Sequence, residues 1–423
     1  MNFLEFAVWG AYLVSMGMFL AGAGFADKIG WFYATQGFVS LFMPAVIGIV
    51  ADRWIPAQKM LGICHLLAAL FMAGAAYIGS QPPISFAALF TCYTLSVAFY
   101  MPTLALSNSV AYTALRKENL DTIKVFPPIR VFGTVGFICA MWITNFAHFA
   151  GSYTQWYFSA ALGIVLGLYA FTLTECPVNT GKAQTLADAL GLKAFALFKE
   201  KKMAVFFIFS MLLGMSLQIT NGFATPFITG FNELAGYTGS WGANNATALV
   251  SLSQISETLC ILLIPFFLKR YGIKKVMLIS MLAWGLRFGF LGIGNPTTVT
   301  GIVFLVASMV VYGVAFDFFN VSGSLYVDQE TDPSIRSSAQ GVFMLMTNGF
   351  GAAIGSLAAQ KVINVMVNSH LAGAVKEGGV YLPQYSELII NGWRTSWFIF
   401  SGFALVVAVL FAIMFKYKHT PAA

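Results

Sequence analysis

Long apolar stretches alternate with short polar breaks along the whole chain, and twelve of the stretches are long enough to cross a hydrocarbon core as helices, which takes about 20 mainly apolar residues. They fall near 3–24, 30–51, 59–80, 85–114, 129–149, 153–174, 203–231, 247–268, 275–294, 299–326, 337–365 and 394–415. The runs are too continuous for the alternating segments of about ten residues that build a membrane barrel. The pattern therefore predicts an all-α membrane protein with twelve transmembrane helices. The first stretch is apolar almost from Met1, with no basic leading region and no small-residue cleavage site. It predicts a retained helix and not a signal peptide.

The polar breaks set the orientation. Of the 23 lysines and arginines, 18 fall in one alternate set of loops and the C-terminal tail, and only Lys28, Lys361, Lys376 and Arg394 fall in the other. Cytoplasmic loops carry the excess of positive charge, so both termini are expected in the cytoplasm. The longest inner break, residues 175–202, separates two six-helix halves at 1–174 and 203–423. Its segment Thr185–Lys202 has apolar residues at helical spacing and is expected to lie on the inner membrane surface as an amphipathic helix. A weak repeat links the halves: Arg53-Trp54-Ile55-Pro56-Ala57-Gln58-Lys59-Met60-Leu61 aligns with Arg270-Tyr271-Gly272-Ile273-Lys274-Lys275-Val276-Met277-Leu278. Parallel six-helix repeats point to the major facilitator architecture, with substrate at the midplane between halves. Gly48, followed four residues later by Asp52-Arg53, resembles the loop signature of that superfamily. Asp52 and Arg53 would there form a charge pair that opens and closes with the inner gate; an ordinary charged helix end is the alternative.

Composition narrows the function. The chain is 58% hydrophobic and 9% charged, with a mean hydropathy of +0.78. Soluble proteins carry about 25% charged residues. A soluble enzyme, a nucleic-acid binder and a disordered scaffold are excluded, and the net charge of +7 belongs to the cytoplasmic loops, not to a nucleic-acid surface. The five cysteines are odd in number and four lie in apolar stretches, which argues against a disulfide framework. No phosphate-binding loop, helix-borne zinc motif or nucleophile elbow occurs, so neither an enzyme nor a cofactor or metal is expected. His65 is the only histidine well inside a span, and a core role is the simpler account of it. Glu5 lies nearer a helix end.

An ionised side chain at a helix centre costs about 2.5–3.5 kcal/mol on insertion scales, so each needs a reason. Glu257, Arg287 and Asp317 are the clear cases. Gln218 and Asn221 in the seventh span, Gln254 and Glu257 in the eighth, and Asp317 and Asn320 in the tenth are each spaced i, i+3 and share a helix face. Phe316 adjoins the last pair. A concave polar site is expected from the matched set; taken singly, each amide is better explained by interhelical hydrogen bonding. Asp317 could alternatively be tied up in a structural ion pair with Arg287. In the fifth span Arg130, Thr134 and Phe137 also share a face, where Arg130 is either a headgroup contact or a donor to substrate.

Longer blocks carry a resemblance: FMPAVIGIVADRW, AFYMPTLALSNSV, FPPIRVFGTVGFICAMW, FFIFSMLLGMSLQITN, SQISETLCILLIPFFLKRYGIKKVM, YGVAFDFFNVSGSLYV and SAQGVFMLMTNGFG. In these the chain resembles the bacterial nucleoside:proton symporters of the major facilitator superfamily. The resemblance implies a multi-pass inner-membrane carrier, acting as a monomer in the lipid bilayer, that takes up a nucleoside such as uridine or adenosine with a proton. It implies that Gln218, Asn221, Gln254, Glu257, Phe316, Asp317, Arg130, Thr134 and Phe137 bind the nucleoside. Ribose hydroxyls suit amides and carboxylates, and a base offers a flat face to an aromatic ring. A carboxyl group in a low-dielectric cavity resists ionisation, which makes Asp317 the expected proton carrier and Glu257 the alternative, with Asp52, Arg53 and Arg287 as gating groups. A sugar:proton symporter of the same fold and a non-transporting nutrient sensor are the competing readings.

Overall fold

The computed structural model describes residues 1–178, 192–332 and 336–417. They form two units, one of Met1–Phe19 with Thr35–Lys193 and one of Leu20–Ala34 with Ala194–Ala423.

In the first unit, α1 (Asn2–Gly10) is interrupted at residues 11–15 and the chain resumes as α2 (Met16–Gly22). Side chains of neighbouring helices satisfy backbone groups around this break. Thr144 donates to the Ala11 carbonyl at 2.9 Å and Ser159 to that of Val8 at 2.7 Å. The second span is α3 (Ile29–Ser40) and α4 (Met43–Arg53), bent by 42°. Pro44 opens α4, where its missing N–H costs nothing. Then follow α5 (Ala57–Gly79), α6 (Phe86–Lys117), α7 (Thr122–Phe146) and α8 (Thr154–Ala170). Backbones of α1 and α7 touch because two glycines allow it: a Cβ on Gly10 would collide with the Phe137 carbonyl, and one on Gly136 with that of Phe3. Close approach at small residues is the usual basis of helix association in lipid.

The second unit runs through α9 (Lys201–Gly230), α10 (Trp241–Asn244), α11 (Ala246–Ile261), α12 (Ile264–Ile293), α13 (Val299–Glu330), α14 (Arg336–Met344), α15 (Ala352–Ile363), α16 (Ser369–Leu371) and α17 (Pro383–Met414). A two-residue hairpin pairs β1 (Lys376–Glu377) with β2 (Val380–Tyr381). Two π-helical segments, Leu345–Gly351 and Asn364–Asn368, flank α15. Gly214 of α9 lies against the Thr347 carbonyl, so this unit too is packed through glycine.

Among the described residues, eight helices are long and apolar enough to cross a membrane alone, and the bent pair makes nine. The other three expected spans are the broken α1–α2, the 17-residue α8 and the 16-residue α11. The element α12 is two helices, 264–271 and 273–293, that meet at Gly272, whose φ of 75° and ψ of 165° are open to glycine and strained for other residues; this tight turn divides the eighth span from the ninth. The twelfth span starts at Pro383, ahead of the expected 394. Of the expected surface helix, 185–191 lie outside the described residues, and Leu192–Lys199 is 3₁₀ and not α. All five cysteines are free.

Candidate functional site

The second unit brings buried Asp317 and half-buried Glu257 together. Gly313 of α13 sits under the Ser256 carbonyl of α11, where a Cβ would come within 2.5 Å, and Ser256 donates its hydroxyl to the Val310 carbonyl. With the helices this close, Glu257 and Asp317 fall within reach of each other's charge. Asp317 is 5% exposed and Gln254, one turn before Glu257, is 8% exposed. The Asp317 Oδ2 and the Gln254 Oε1 have no hydrogen-bond partner among the described residues. A buried polar group left unpaired costs about 1–3 kcal/mol. Two stranded acceptors on two packed helices are therefore positions that await donors.

The remaining second-unit residues frame those positions. On α9, which packs against α11, buried Gln218 accepts a 3.4 Å hydrogen bond from the half-buried Asn221 amide, so the expected i, i+3 pair does share a face. On α13, Phe316 is half-buried and stacks on Tyr312 with ring centroids 5.7 Å apart and planes 8° apart. Asn320 is half-buried one turn beyond Asp317.

Arg287 takes a different place from the ion pair weighed above. It is 1% exposed; its Nη1 donates to the Ser308 carbonyl at 2.8 Å and to Ser253 Oγ at 3.2 Å. Its guanidinium carbon lies 4.5 Å from the centre of the Tyr312 ring. Among the described residues no ion pair joins it to Asp317. Arg287 instead braces Tyr312 from one side while Phe316 stacks on the ring, a cation–π contact away from water.

The first unit carries Arg130, Thr134 and Phe137 along α7. Arg130 is half-buried, its guanidinium carbon 3.8 Å from the Phe6 ring centre. Thr134 is half-buried, and Phe137 is buried edge-on to Trp9 at 6.4 Å. Asp52 and Arg53 end α4, but their side chains lie outside the described residues.

Two constellations escaped the sequence reading. Glu5 and His65 are both fully buried and bonded to each other at 2.8 Å. Sixty residues separate them, and no spacing rule joins them. Gln360, Asn364 and Asn368 form a ladder at i, i+4, i+8 that holds residues 26–30 of the chain. That periodicity was visible, though nothing in sequence indicated its partner.

Comparison with known proteins bears on this geometry. A family model described as nucleoside H+ symporter matches residues 1–420. The nucleoside permease NupG of Escherichia coli (strain K12) is 44% identical over 422 residues, covering 99% of this chain and 95% of that one. The xanthosine permease of the same organism is 43% identical over 424 residues, covering 100% and 96%. A crystal structure of the nucleoside transporter NupG superposes with a TM-score of 0.86 over 99% of this chain and 98% of that one. A bacterial homologue of the lysosomal transporter Spinster, inward-facing and unoccupied, superposes at 0.69 with 15% identity, over 98% and 94%, which places the fold among such carriers and says no more.

Proposed function

The chain belongs to the nucleoside H+ symporter family, and from that premise we propose that it carries nucleosides such as uridine or adenosine inward together with protons, by alternating access. The observation that carries this reading is the two buried acceptors without a partner among the described residues, Gln254 Oε1 on α11 and Asp317 Oδ2 on α13, the latter within reach of the charge of Glu257. Ribose hydroxyls donate to such oxygens and accept from the amides of Gln218 and Asn221. Phe316, held flat against Tyr312, offers a face to the base. Arg287, the one buried cation among the described residues, is engaged with Tyr312 and Ser308, which favours an uncharged nucleoside over a phosphorylated one. Arg130, Thr134 and Phe137 are assigned to the same substrate from the first unit.

In this reading Asp317 takes a proton from outside, binds substrate as a neutral carboxyl that both donates and accepts, and releases proton and nucleoside inside; Glu257 is the alternative carrier. The six-helix halves, 1–174 and 203–423 joined by 175–202, are the moving parts. Asp52 and Arg53 pair at the inner gate, and Arg287 stiffens the aromatic platform. The carrier is a monomer in the lipid bilayer of a bacterial inner membrane with both termini cytoplasmic.

Uptake of labelled uridine into vesicles under an imposed pH gradient, with and without an uncoupler, tests the reading. Accumulation that collapses with the uncoupler and competes with other nucleosides is expected. Gradient-independent equilibration, or competition by sugars but not nucleosides, would refute it.

A further inference from the structure

We propose that Glu5 and His65 form a second proton-holding site, within the first unit and apart from the acids of α11 and α13. The proposal rests on the proton-coupled reading above. Both side chains are 0% exposed. His65 Nε2 lies 2.8 Å from Glu5 Oε2, and Thr103 Oγ1 lies 2.6 Å from Glu5 Oε1. The Tyr100 hydroxyl donates to the Glu5 backbone carbonyl at 2.8 Å. His65 Nδ1 is buried without a partner among the described residues.

This set has a built-in proton count. A buried pair is least costly at zero net charge. Glutamate with imidazolium, or glutamic acid with neutral imidazole, each meet that condition and each hold one proton between the two groups. Thr103 fits both forms. Its Oγ1 is 2.6 Å from Glu5 Oε1 and also 2.6 Å from the Tyr100 carbonyl, with one proton to give. Facing a carboxylate it donates to Glu5; facing a carboxylic acid it accepts from Glu5 and donates to Tyr100. Loss of the shared proton leaves a carboxylate beside a neutral imidazole, a net charge of −1 that water must solvate. The site therefore holds its proton while sealed and releases it to the inner solution when wetted.

The surroundings link the pair to the substrate residues. The His65 ring meets Tyr100 edge-on at 6.0 Å, Tyr100 meets Trp9 at 5.9 Å, and Trp9 meets Phe137 at 6.4 Å. Trp9 lies one turn after Glu5 on α1, just before the break at residues 11–15. A cavity bordered by Tyr12, His65, Met72, Ser96, Tyr100 and Ser159 opens about 10 Å³ to a water-sized sphere, the threshold for one water. The ionisable groups around Glu5 are the amino terminus at Met1, Cys64 on α5 and Tyr100 on α6, with Tyr12 in the break and Arg130 on α7 beyond Tyr100. The α8 helix contributes Ser159; its tyrosines, Tyr157 and Tyr169, are exposed.

The test uses full-length protein in proteoliposomes and reads protons moved per uridine, from the pH gradient and membrane potential at which uridine flux reverses. Glu5→Gln and His65→Gln keep the shape and cannot hold the proton; each is expected to move one proton fewer per uridine than wild type. Thr103→Val removes a hydrogen-bond partner of the carboxylate and should displace the midpoint of the uptake pH profile from that of wild type. If Glu5→Gln does not fold, as judged by gel-filtration elution and a thermal transition, the other two decide. Unchanged proton ratio and unchanged midpoint in the folded variants would overturn the second site while leaving coupling intact. A wild type that never accumulates uridine under the gradient would overturn the coupling reading itself.

Discussion

Replacing Gln360 with alanine should free the strap of residues 26–34, which is continuous with the first unit at Thr35 yet packs within the second. Gly30 is the second residue of α3, so its N–H is one of the four that a helix leaves without an internal partner. It donates to Gln360 Oε1 at 2.5 Å, while Gln360 Nε2 donates to the Ala26 carbonyl at 2.9 Å and to Asn364 Oδ1 at 2.7 Å. Gln360 is 3% exposed, so alanine strands the Gly30 N–H away from water. The stranded donor costs about 1–3 kcal/mol, and the other bond to the strap, to the Ala26 carbonyl, contributes about 0.5–1.5 kcal/mol net. Roughly 2–4 kcal/mol of local stability should go. Each 1.4 kcal/mol is tenfold in an equilibrium. Amide exchange in 26–34, followed by mass spectrometry of the detergent-solubilised protein, should therefore speed up about 30- to 700-fold, since exchange reports local opening. Asn364→Ala, which removes a more exposed 3.2 Å bond to the Asp27 carbonyl, should give a smaller effect. Exchange in Gln360→Ala within threefold of wild type, at unchanged global stability, would refute the reasoning.

Asp317→Asn should abolish uridine accumulation driven by a pH gradient, while counterflow, which needs no net proton movement, persists at a reduced rate; gradient-driven accumulation at wild-type level would contradict it. Gly313→Leu forces a side chain against the Ser256 carbonyl. A loss of about 1–3 kcal/mol or more and a lower melting temperature are expected, with uridine binding weakened beyond the loss of folded protein. Lys376 in the β1–β2 hairpin is pulled down by partial burial, but the hydrogen bond and charge of Glu233 outweigh this and leave its pKa raised. A raised pKa gives stability that is fully present below the ordinary lysine value near 10.4 and lost as pH rises through the folded one. Lys376→Met should therefore loosen the hairpin equally at pH 6 and pH 8, by no more than about 1 kcal/mol because both partners are largely exposed; proteolysis of the loop at the two pH values checks it.

The portions legible in sequence are those where one helix holds all the information. Gln254 with Glu257, Gln218 with Asn221 and Asp317 with Asn320 were each placed on a face by a period of 3.6 residues, and in the structure Asn221 does bond Gln218. The stretches themselves were readable because lipid forces every spanning backbone to satisfy itself as a helix. Interruptions were not, because they depend on neighbours. The break in α1 is compatible with a buried position because Thr144 and Ser159 reach across from other helices, whereas the turn at Gly272 falls where charge in the sequence marks a break between spans.

Arg287 and Glu5 meet the demand of a buried charge in two ways that spacing along the chain does not reveal. A buried charge in sequence is an open demand, and the nearest opposite charge along the pattern is the natural candidate to meet it. Arg287 meets its demand with a carbonyl, a hydroxyl and an aromatic face, leaving Asp317 free of it. Glu5, dismissed as close to a helix end, lies at 0% exposure because α1 packs glycine to backbone on α7 and carries its end inward. Depth in the membrane thus follows from which helices can touch, and here two glycines, Gly10 and Gly136, decide it. A methyl group at either position should move Glu5 relative to His65 before it disturbs Asp317, so Gly10→Ala is expected to alter the pH midpoint of uptake and, through Phe137, uridine affinity, while gradient-driven accumulation through Asp317 persists. Coincident loss of that accumulation would mean that the two acid sites are not separable.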